Sequence, residues 1–194
     1  MVQTINDVVC GIIFYGIRLY MEEINETTKT SNSTAVVMLN TRNIGGYQSL
    51  KEMHKHPLEF IWESRKIIQR KRHSFSVHLI GLLMDLEMKL RGPEAVAKII
   101  YDTIGHSSVL FSNLVGPIEK MTLANHPING LYFTASGGPE DLTVTVISYV
   151  KTLRITLKTQ KGFINEHKLK FCIEKADELI FKAAMEISET PNKN

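Results

Sequence analysis

The chain has very little cysteine. Only two cysteines, Cys10 and Cys172, occur in 194 residues, and they lie far apart in the sequence. Each falls on the apolar side of a predicted helix. We therefore expect two buried free thiols, which is typical of a reducing compartment, rather than a disulfide or a metal site.

Long apolar runs and a strong charge of one sign are also lacking. No apolar run approaches the ~20 residues that a membrane-spanning helix needs. The polar pair Asn6-Asp7 precedes the first apolar residues, which does not fit a signal peptide. The formal net charge is only +3, too small to indicate nucleic acid. These absences predict a soluble or peripheral protein without a nucleic-acid partner.

The sequence does contain enough apolar residues for a globular core. It is 43% hydrophobic and 22% charged, and a chain of this length can bury about 70% of its unfolded surface. We expect a single folded lobe over residues 1–187, followed by a flexible tail over residues 188–194. No internal repeat is visible.

Hydrophobic periodicity predicts helices and strands in a mixed order. Asn6 or Asp7 is the expected N-cap of a first helix, and Ala35 to Leu39 reads as a strand buried on both faces. Further helices are predicted to begin at Pro57, to span Val77 to Leu90 with Ile80, Leu83, Met84 and Leu90 inward, to follow Gly92-Pro93, and to span Glu166 to Ile187.

Strands are expected near residues 109–111, 121–123 and 131–135. An antiparallel hairpin with a two-residue period is expected over residues 142–146 and 153–157, turned near Val150-Lys151. The predicted fold class is therefore α/β (α+β), with a mixed β-sheet flanked by helices.

The most informative stretch is Val109-Leu-Phe-Ser-Asn-Leu-Val-Gly-Pro117. A short apolar strand is stopped by Gly116-Pro117, and Asn113 lies just before the stop, where a polar side chain can reach backbone groups or a ligand. Taken alone, this is a buried strand that enters a turn. Four other short segments of the sequence accompany this stretch. They are Asn6-Asp7, Asn40-Thr41-Arg42, His126-Pro127 and Ser148-Tyr149.

Together these residues resemble the C-terminal half of the plant wax ester synthase/diacylglycerol acyltransferase family. The resemblance runs from about Asn6 to Met185 and covers the second half of a full family member. It implies one lobe of a two-lobed fold similar to chloramphenicol acetyltransferase and the nonribosomal condensation domains. It also implies acyl-CoA as co-substrate, a long-chain alcohol or diacylglycerol as acceptor, and no other cofactor. A location on the cytoplasmic side of the endoplasmic reticulum or plasma membrane is implied as well.

The resemblance places the catalytic base in the first lobe, in an HHxxxDG motif. Its second histidine is the expected general base for the acceptor hydroxyl. This sequence has no adjacent histidines, and none of its seven histidines is followed by aspartate at the fourth position. We therefore expect no catalytic residue in this chain and no acyl transfer by the chain alone.

What the second lobe can supply is one wall of the substrate tunnel. Asn113, Gly116 and Pro117 match the family's Asn-Val-(Val/Pro)-Gly-Pro stretch and are the candidate tunnel residues, with a purely structural turn as the alternative. Asn6 and Asp7 match a family pattern too, and capping explains both. His126-Pro127 also matches, and we interpret His126 as a loop residue.

The sequence departs from the family between Met53 and His54, where members carry an additional apolar, glycine-containing strand. A missing strand would expose a sheet edge. A truncated or mis-spliced product, or a degenerate paralogue that serves as a non-catalytic lipid-binding or interaction protein, would explain this gap and the missing first lobe. His54 and His56 do not indicate a metal site, because no further ligands stand beside them.

The basic stretch from Arg65 to His73 leaves three interpretations open. It is a solvated helix face, a contact for an anionic membrane surface or CoA phosphates, or, least favoured, a nucleic-acid surface. If this chain is a lobe separated from its partner lobe, one face should carry an exposed apolar patch. The expected contributors are the helix at Val77 to Leu90 and the turn at Asn113 to Pro117.

Overall fold

In a computed structural model, the chain is described over residues 5–24, 34–38, 47–49, 56–72 and 75–189. Within these ranges it forms five helices and seven strands. The helices are α1 (Ile5–Ile24), α2 (Pro57–Arg72), α3 (Phe75–Arg91), α4 (Pro93–Gly105) and α5 (Glu166–Glu189). The strands are β1 (Thr34–Met38), β2 (Tyr47–Ser49), β3 (Val109–Val115), β4 (Thr122–Leu123), β5 (His126–Pro127), β6 (Leu142–Tyr149) and β7 (Thr152–Thr159).

Five of the strands form one mixed sheet in the order β2-β1-β3-β6-β7. The three inner strands run parallel, whereas β2 and β7 pair antiparallel at the two edges. This confirms the prediction of an α/β fold with a mixed sheet, including the β6–β7 hairpin turned at Val150-Lys151. The short, polar strand β2 was not predicted, because Tyr47-Gln-Ser has no strand-like apolar pattern.

The chain divides into two compact units. One comprises residues 1–32, 50–70 and 165–194, and the other comprises residues 33–49 and 71–164. The first unit therefore holds α1, most of α2, and α5. The second holds both sheets together with α3 and α4.

In the first unit, glycines allow α1 to lie very close to its two neighbours. A Cβ placed on Gly16 would come within 2.7 Å of the Ile173 backbone, and one on Gly11 within 2.7 Å of the Ile61 side chain. The Tyr15 and Phe60 rings pack with centroids 4.7 Å apart. Both cysteines, Cys10 in α1 and Cys172 in α5, are buried and free, as predicted.

Several predicted features are corrected by the structure. Helix α1 begins at Ile5, so Asp7 lies in its first turn rather than at the N-cap, where a carboxylate still complements the unpaired N–H groups. Residues 131–135 are not a strand. This irregular segment is linked to β6 through the Phe133 carbonyl, which accepts the Thr145 hydroxyl at 2.5 Å. Helix α5 extends to Glu189.

Helix α3 also differs from its prediction. Of the four side chains expected inward, only Met84 is half-buried, whereas Ile80, Leu83 and Leu90 are exposed. Their exposure confirms the other expectation for this helix, that it contributes to an exposed apolar patch. Three predictions fall outside the described residues: the missing strand near 53–54, the polar triplet at 40–42, and most of the tail, residues 190–194.

Candidate functional site

The candidate site lies where β3 and β6 end side by side at the same edge of the sheet. The parallel register pairs Asn113 with Val146, Leu114 with Ile147, and Val115 with Ser148. The chain leaves β3 through Gly116-Pro117, while β6 ends at Tyr149 and turns back into β7. The two conspicuous sequence patterns around Asn113 and Ser148 are therefore neighbours in space.

Gly116 is the point of closest approach between these two strand ends. Its backbone N–H donates to Ser148 Oγ at 3.2 Å. A Cβ at this position would collide with the Ser148 carbonyl oxygen and crowd the Ile147 side chain. Only glycine lets β3 lie this close to β6, so packing alone gives a reason for glycine at 116.

Pro117 extends the connection by one residue. Its carbonyl oxygen accepts the backbone N–H of Val150 at 3.0 Å. Val150 has a φ of 57°, which is an uncommon conformation for a β-branched residue and costs conformational energy. The hydrogen bond to Pro117 helps to hold Val150 in the tight turn between β6 and β7.

Tyr149 joins the site to a small β-ribbon formed by β4 and β5. Its hydroxyl accepts the Met121 N–H at 2.9 Å and donates to the Ile128 carbonyl at 2.8 Å. Met121 and Ile128 themselves pair through the Ile128 N–H and the Met121 carbonyl at 2.9 Å. The two motifs found in the sequence, Asn113-to-Pro117 and Ser148-Tyr149, therefore belong to one hydrogen-bonded cluster.

Large apolar side chains are exposed at this turn and on the ribbon, beside exposed polar residues such as Glu119 and Lys120. Leu114, Val115, Ile118 and Leu123 are all exposed, and Val115 is 84% exposed at the very end of β3. Asn113 is half-buried in the same strand, and it has an interaction partner of its own. The site thus consists of a rigid backbone turn with an exposed apolar rim, and the predicted exposure of this turn is confirmed.

A second polar cluster lies at the opposite end of β6, and sequence reasoning missed it. The Glu140 side chain is fully buried, accepts the Thr143 hydroxyl at 2.5 Å, and forms an ion pair with Lys158 at 3.2 Å. Burial alone would raise the pKa of Glu140, but hydrogen bonds from Thr143, its own backbone and Lys158 outweigh burial. The pKa is therefore lowered from 4.5. In the sequence, the spacing Glu140-x-x-Thr143 was the only signal that could have indicated this cluster.

Three further sets of sequence candidates are His126, the pair Asn6-Asp7 and the cysteines. His126 is exposed in strand β5 of the ribbon, which corrects the prediction of a loop residue. Asn6 and Asp7 belong to the first compact unit, and Asp7 is buried there. Burial raises the pKa of the Cys172 thiol to about 11, helped by a hydrogen bond to Glu23, so this cysteine is a poor nucleophile.

Neither a metal centre nor a membrane span is found in the described parts of the chain. Their His, Cys, Asp and Glu side chains form no group of three or more that could hold a metal ion. Among the helices described, none combines the length and the hydrophobicity required to cross a bilayer.

The fold of this chain has a counterpart among solved structures. The structure is similar to that of a wax ester synthase/diacylglycerol acyltransferase from Marinobacter aquaeolei VT8, with a TM-score of 0.64. That likeness covers 94% of this chain and 44% of the bacterial one. The sequences are only 15% identical, so the comparison establishes the fold alone.

Sequence comparison establishes the family. The model of the WS/DGAT C-terminal domain matches residues 48–180, more than half of the chain, and the chain therefore belongs to this family. Over 86% of the present chain, it is 27% identical to wax ester synthase/diacylglycerol acyltransferase 4 of Arabidopsis thaliana. Over 96% of the present chain, it is 25% identical to wax ester synthase/diacylglycerol acyltransferase 6 of the same plant. It spans only 39% and 44% of the lengths of these relatives.

Proposed function

We propose that this chain serves as the second lobe of a fatty-acyl O-acyltransferase and needs a histidine-bearing first lobe for catalysis. The complete enzyme would transfer an acyl group from acyl-CoA to a long-chain alcohol or diacylglycerol, to give a wax ester or a triacylglycerol. Family membership supports the reaction class. The two Arabidopsis relatives are named for wax ester synthesis and diacylglycerol acylation, which supports these two products.

The observation that carries the proposal is the construction of the Asn113-to-Pro117 turn. Its backbone is fixed by the hydrogen bonds of Gly116 and Pro117, while Leu114 and Val115 present apolar side chains outward. A fixed turn with an apolar rim suits a wall that guides a long acyl chain, because binding then costs little ordering of the protein. Asn113 would provide the polar contact nearest the ester-forming atoms.

The general base would come from the first lobe, because this sequence contains no adjacent histidines. A positioned general base typically contributes about 10²–10⁴ in rate, and more when it acts in concert with other groups. The chain alone would therefore produce no measurable ester, whereas the same chain joined to a histidine-bearing lobe would restore turnover.

The test is complementation of a yeast strain that lacks neutral-lipid synthesis. We would express this chain alone and, in parallel, a fusion with an HHxxxDG-containing first lobe from a related enzyme. Neutral lipid that appears only with the fusion would support the proposal. Neutral lipid from the chain alone would contradict the requirement for a histidine-bearing first lobe. Lipid from neither would favour a non-catalytic lipid-binding or interaction protein.

Within an active fusion, Asn113→Ala tests the proposed contact with substrate. We expect turnover to fall about tenfold or more without a matching loss of folded protein. Asn129→Ala is the control, since Asn129 is an exposed loop residue in the same unit. Equal activity of the two variants would leave the turn with a structural role only.

A further inference from the structure

Strand β7 forms one edge of the five-stranded sheet, next to β6. Its pairing with β6 continues without a bulge over eight residues, from Thr152 opposite Tyr149 to Thr159 opposite Leu142. The strand also contains no proline. Proteins often protect an exposed sheet edge with a bulge, a proline or a very short strand, because an uninterrupted edge can pair with another chain. Strand β7 has none of these three features.

The hydrogen bonds between β7 and β6 determine which backbone groups β7 presents at its outer edge. Just beyond the strand, the Gln160 N–H donates to the carbonyl of Asp141, the residue directly opposite, at 2.9 Å. In an antiparallel ladder such hydrogen-bonded pairs alternate with pairs that are not hydrogen-bonded. Along the continuous register, the N–H and carbonyl groups of Leu153, Ile155 and Leu157 therefore point away from β6. In the described part of the chain, no other strand or loop backbone is bonded to them.

The side chains of β7 alternate between an apolar face and a polar face. The apolar face consists of Leu153, Ile155 and Leu157. The polar face consists of Thr152, Arg154, Thr156 and Lys158. Leu153 and Ile155 are exposed although they are apolar. A strand that paired with β7 would cover them with its own side chains.

Positive charge predominates at this edge of the sheet. From Leu142 to Asn165 the sequence contains four Lys or Arg residues and no Asp or Glu. Lys158 forms an ion pair with the buried Glu140, whereas Arg154 has no ion pair with any carboxylate in the described ranges. The Arg154 guanidinium lies against Gly130, where an added Cβ would approach it within 2.3 Å. Arg154 thus carries a positive charge at the middle of the polar face.

We propose that β7 binds an extended acidic segment of a partner protein, which pairs with its outer edge and adds a strand to the sheet. In this mode of recognition, main-chain hydrogen bonds provide the affinity and alternate side chains provide the specificity. The backbone groups of Leu153, Ile155 and Leu157 would bind the backbone of the partner. Apolar residues at every second position of the partner would cover the apolar face, and an acidic residue between them would pair with Arg154.

A second copy of this chain is a poorer occupant of the same edge. In an antiparallel pair of two β7 strands, the outward-facing residues must meet, and the two registers with the longest overlap are centred on Ile155 and on Thr156. The first register places the two Arg154 side chains diagonally across the pair. The second places Arg154 opposite Lys158. Like charges at such positions oppose pairing, whereas an acidic strand complements them.

The test measures peptide binding to the full chain and requires no acyl transfer. The probe is a fluorescein-labelled peptide of about nine residues in which valine alternates with glutamate, long enough to span β7. Its binding is followed by fluorescence anisotropy at low salt. We expect this peptide to bind about tenfold or more tightly than the same peptide with lysine in place of glutamate. A third peptide, in which the central valine is N-methylated, lacks one backbone donor and should also bind about tenfold less tightly.

Arg154→Glu tests the role of charge. This variant should bind the lysine peptide more tightly than the glutamate peptide, which reverses the order of the wild type. Lys98→Glu is the matched control, because it makes the same change of charge at an exposed residue of α4. It should keep the wild-type order. A damaged fold would weaken the binding of both peptides, so a reversed order reports on charge alone.

Ile155→Pro tests the role of the exposed backbone. Since the Ile155 N–H points away from β6, proline removes a donor from the outer edge while the hydrogen bonds to β6 remain. We expect the affinity for the glutamate peptide to fall at least about tenfold. Ile155→Ala is the control, because it truncates the same side chain but keeps the N–H, and it should lose less. Circular dichroism establishes that both variants are folded.

Hydrogen exchange identifies the edge that the peptide occupies. In the free chain, the amides of Leu153, Ile155 and Leu157 should exchange quickly, and the glutamate peptide should slow their exchange. The amides of Arg154 and Thr156 are already bonded to β6 and should change little.

Four results would overturn the proposal. The first is the absence of wild-type binding to the glutamate peptide. The second is an unchanged order of the two peptides in Arg154→Glu. The third is slower exchange in the complex at amides outside β7 only. The fourth is a concentration-dependent dimer that Ile155→Pro dissociates while the wild type binds no peptide, because the edge would then pair with a second copy.

Discussion

The two ends of β6 and the helix α3 depart in opposite ways from the usual burial of apolar residues and exposure of polar ones. Around β6, threonine, tyrosine and glutamate are buried, and each has a specific partner, as in the pairs Thr143 with Glu140 and Thr145 with Phe133. In α3, leucine and phenylalanine are exposed along a complete stripe. The buried polar groups make the sheet end rigid, whereas the exposed apolar groups provide a surface for another molecule.

This comparison predicts that substitutions near β6 will change stability strongly, and that substitutions of the exposed leucines of α3 will change it little. The four predictions below test the contrast, beginning with the largest expected effect on the free energy of unfolding.

Gly116→Val should be the most destabilising of the four, by about 2–4 kcal/mol, because the new side chain would collide with the Ser148 carbonyl. Urea unfolding at neutral pH measures the effect. Gly137→Ala is the control: Gly137 has open space around it, and a φ of 88° leaves only backbone strain, about 1 kcal/mol. Similar losses in both variants would mean that β3 and β6 separate without cost.

Tyr149→Phe should cost about 2–3 kcal/mol. The substitution removes one hydroxyl but leaves two backbone groups, the Met121 N–H and the Ile128 carbonyl, without their partner. Tyr132→Phe is the matched control, since Tyr132 is exposed and should lose less than about 0.5 kcal/mol. Hydrogen exchange at Met121 provides a local measure, because its amide should exchange faster in Tyr149→Phe alone.

The region around Gly116 and Tyr149 illustrates what could be predicted from the sequence. The alternation of residues 142–146 and 153–157 predicts the β6–β7 hairpin, and Gly116-Pro117 predicts the end of β3. The alternation does not reveal that Thr143 and Thr145 are buried, because their partners, Glu140 and the Phe133 carbonyl, come from an irregular segment. An irregular segment has no periodicity that reveals its contacts, which is why the strand predicted for residues 131–135 is wrong.

Helix α3 illustrates the complementary difficulty. Periodicity predicts the helix and groups its leucines on one side, but it carries no information on whether another element covers that side. Burial of Ile80, Leu83 and Leu90 was the expectation from globular proteins in general, and the exposed stripe contradicts it. Conversely, the resemblance in the sequence was sufficient to predict the family, since Asn113, Gly116 and Pro117 recur there as a local motif.

Glu140→Gln tests the buried ion pair through its pH dependence. The carboxyl pKa is lowered in the folded chain, so the stabilisation is fully present above the unfolded pKa and is lost as the pH falls through the folded value. The wild type should therefore lose stability from about pH 5 downwards. At pH 7 the free energy of unfolding of the variant should be lower than that of the wild type by about 1–3 kcal/mol, and it should change less with pH.

The control for this variant is Glu119→Gln, which alters an exposed carboxylate in the same unit. Unfolding by urea at a series of pH values compares the three proteins. Parallel pH profiles for wild type and Glu140→Gln would show that the Thr143 and Lys158 contacts contribute no stabilisation to the charged form.

Leu82→Ser should have the smallest effect on folding. Two thirds of the Leu82 side chain is already exposed, so its removal should change the free energy of unfolding by less than about 0.5 kcal/mol. Truncation of the fully buried Phe111 in β3 to alanine should instead cost about 3–5 kcal/mol. Urea unfolding of both variants measures the difference. A large loss of stability in Leu82→Ser would mean that the exposed side of α3 contributes to the fold of this chain. A small loss would show that this side is dispensable for folding, because a side chain that already faces water gives up few contacts when it is removed.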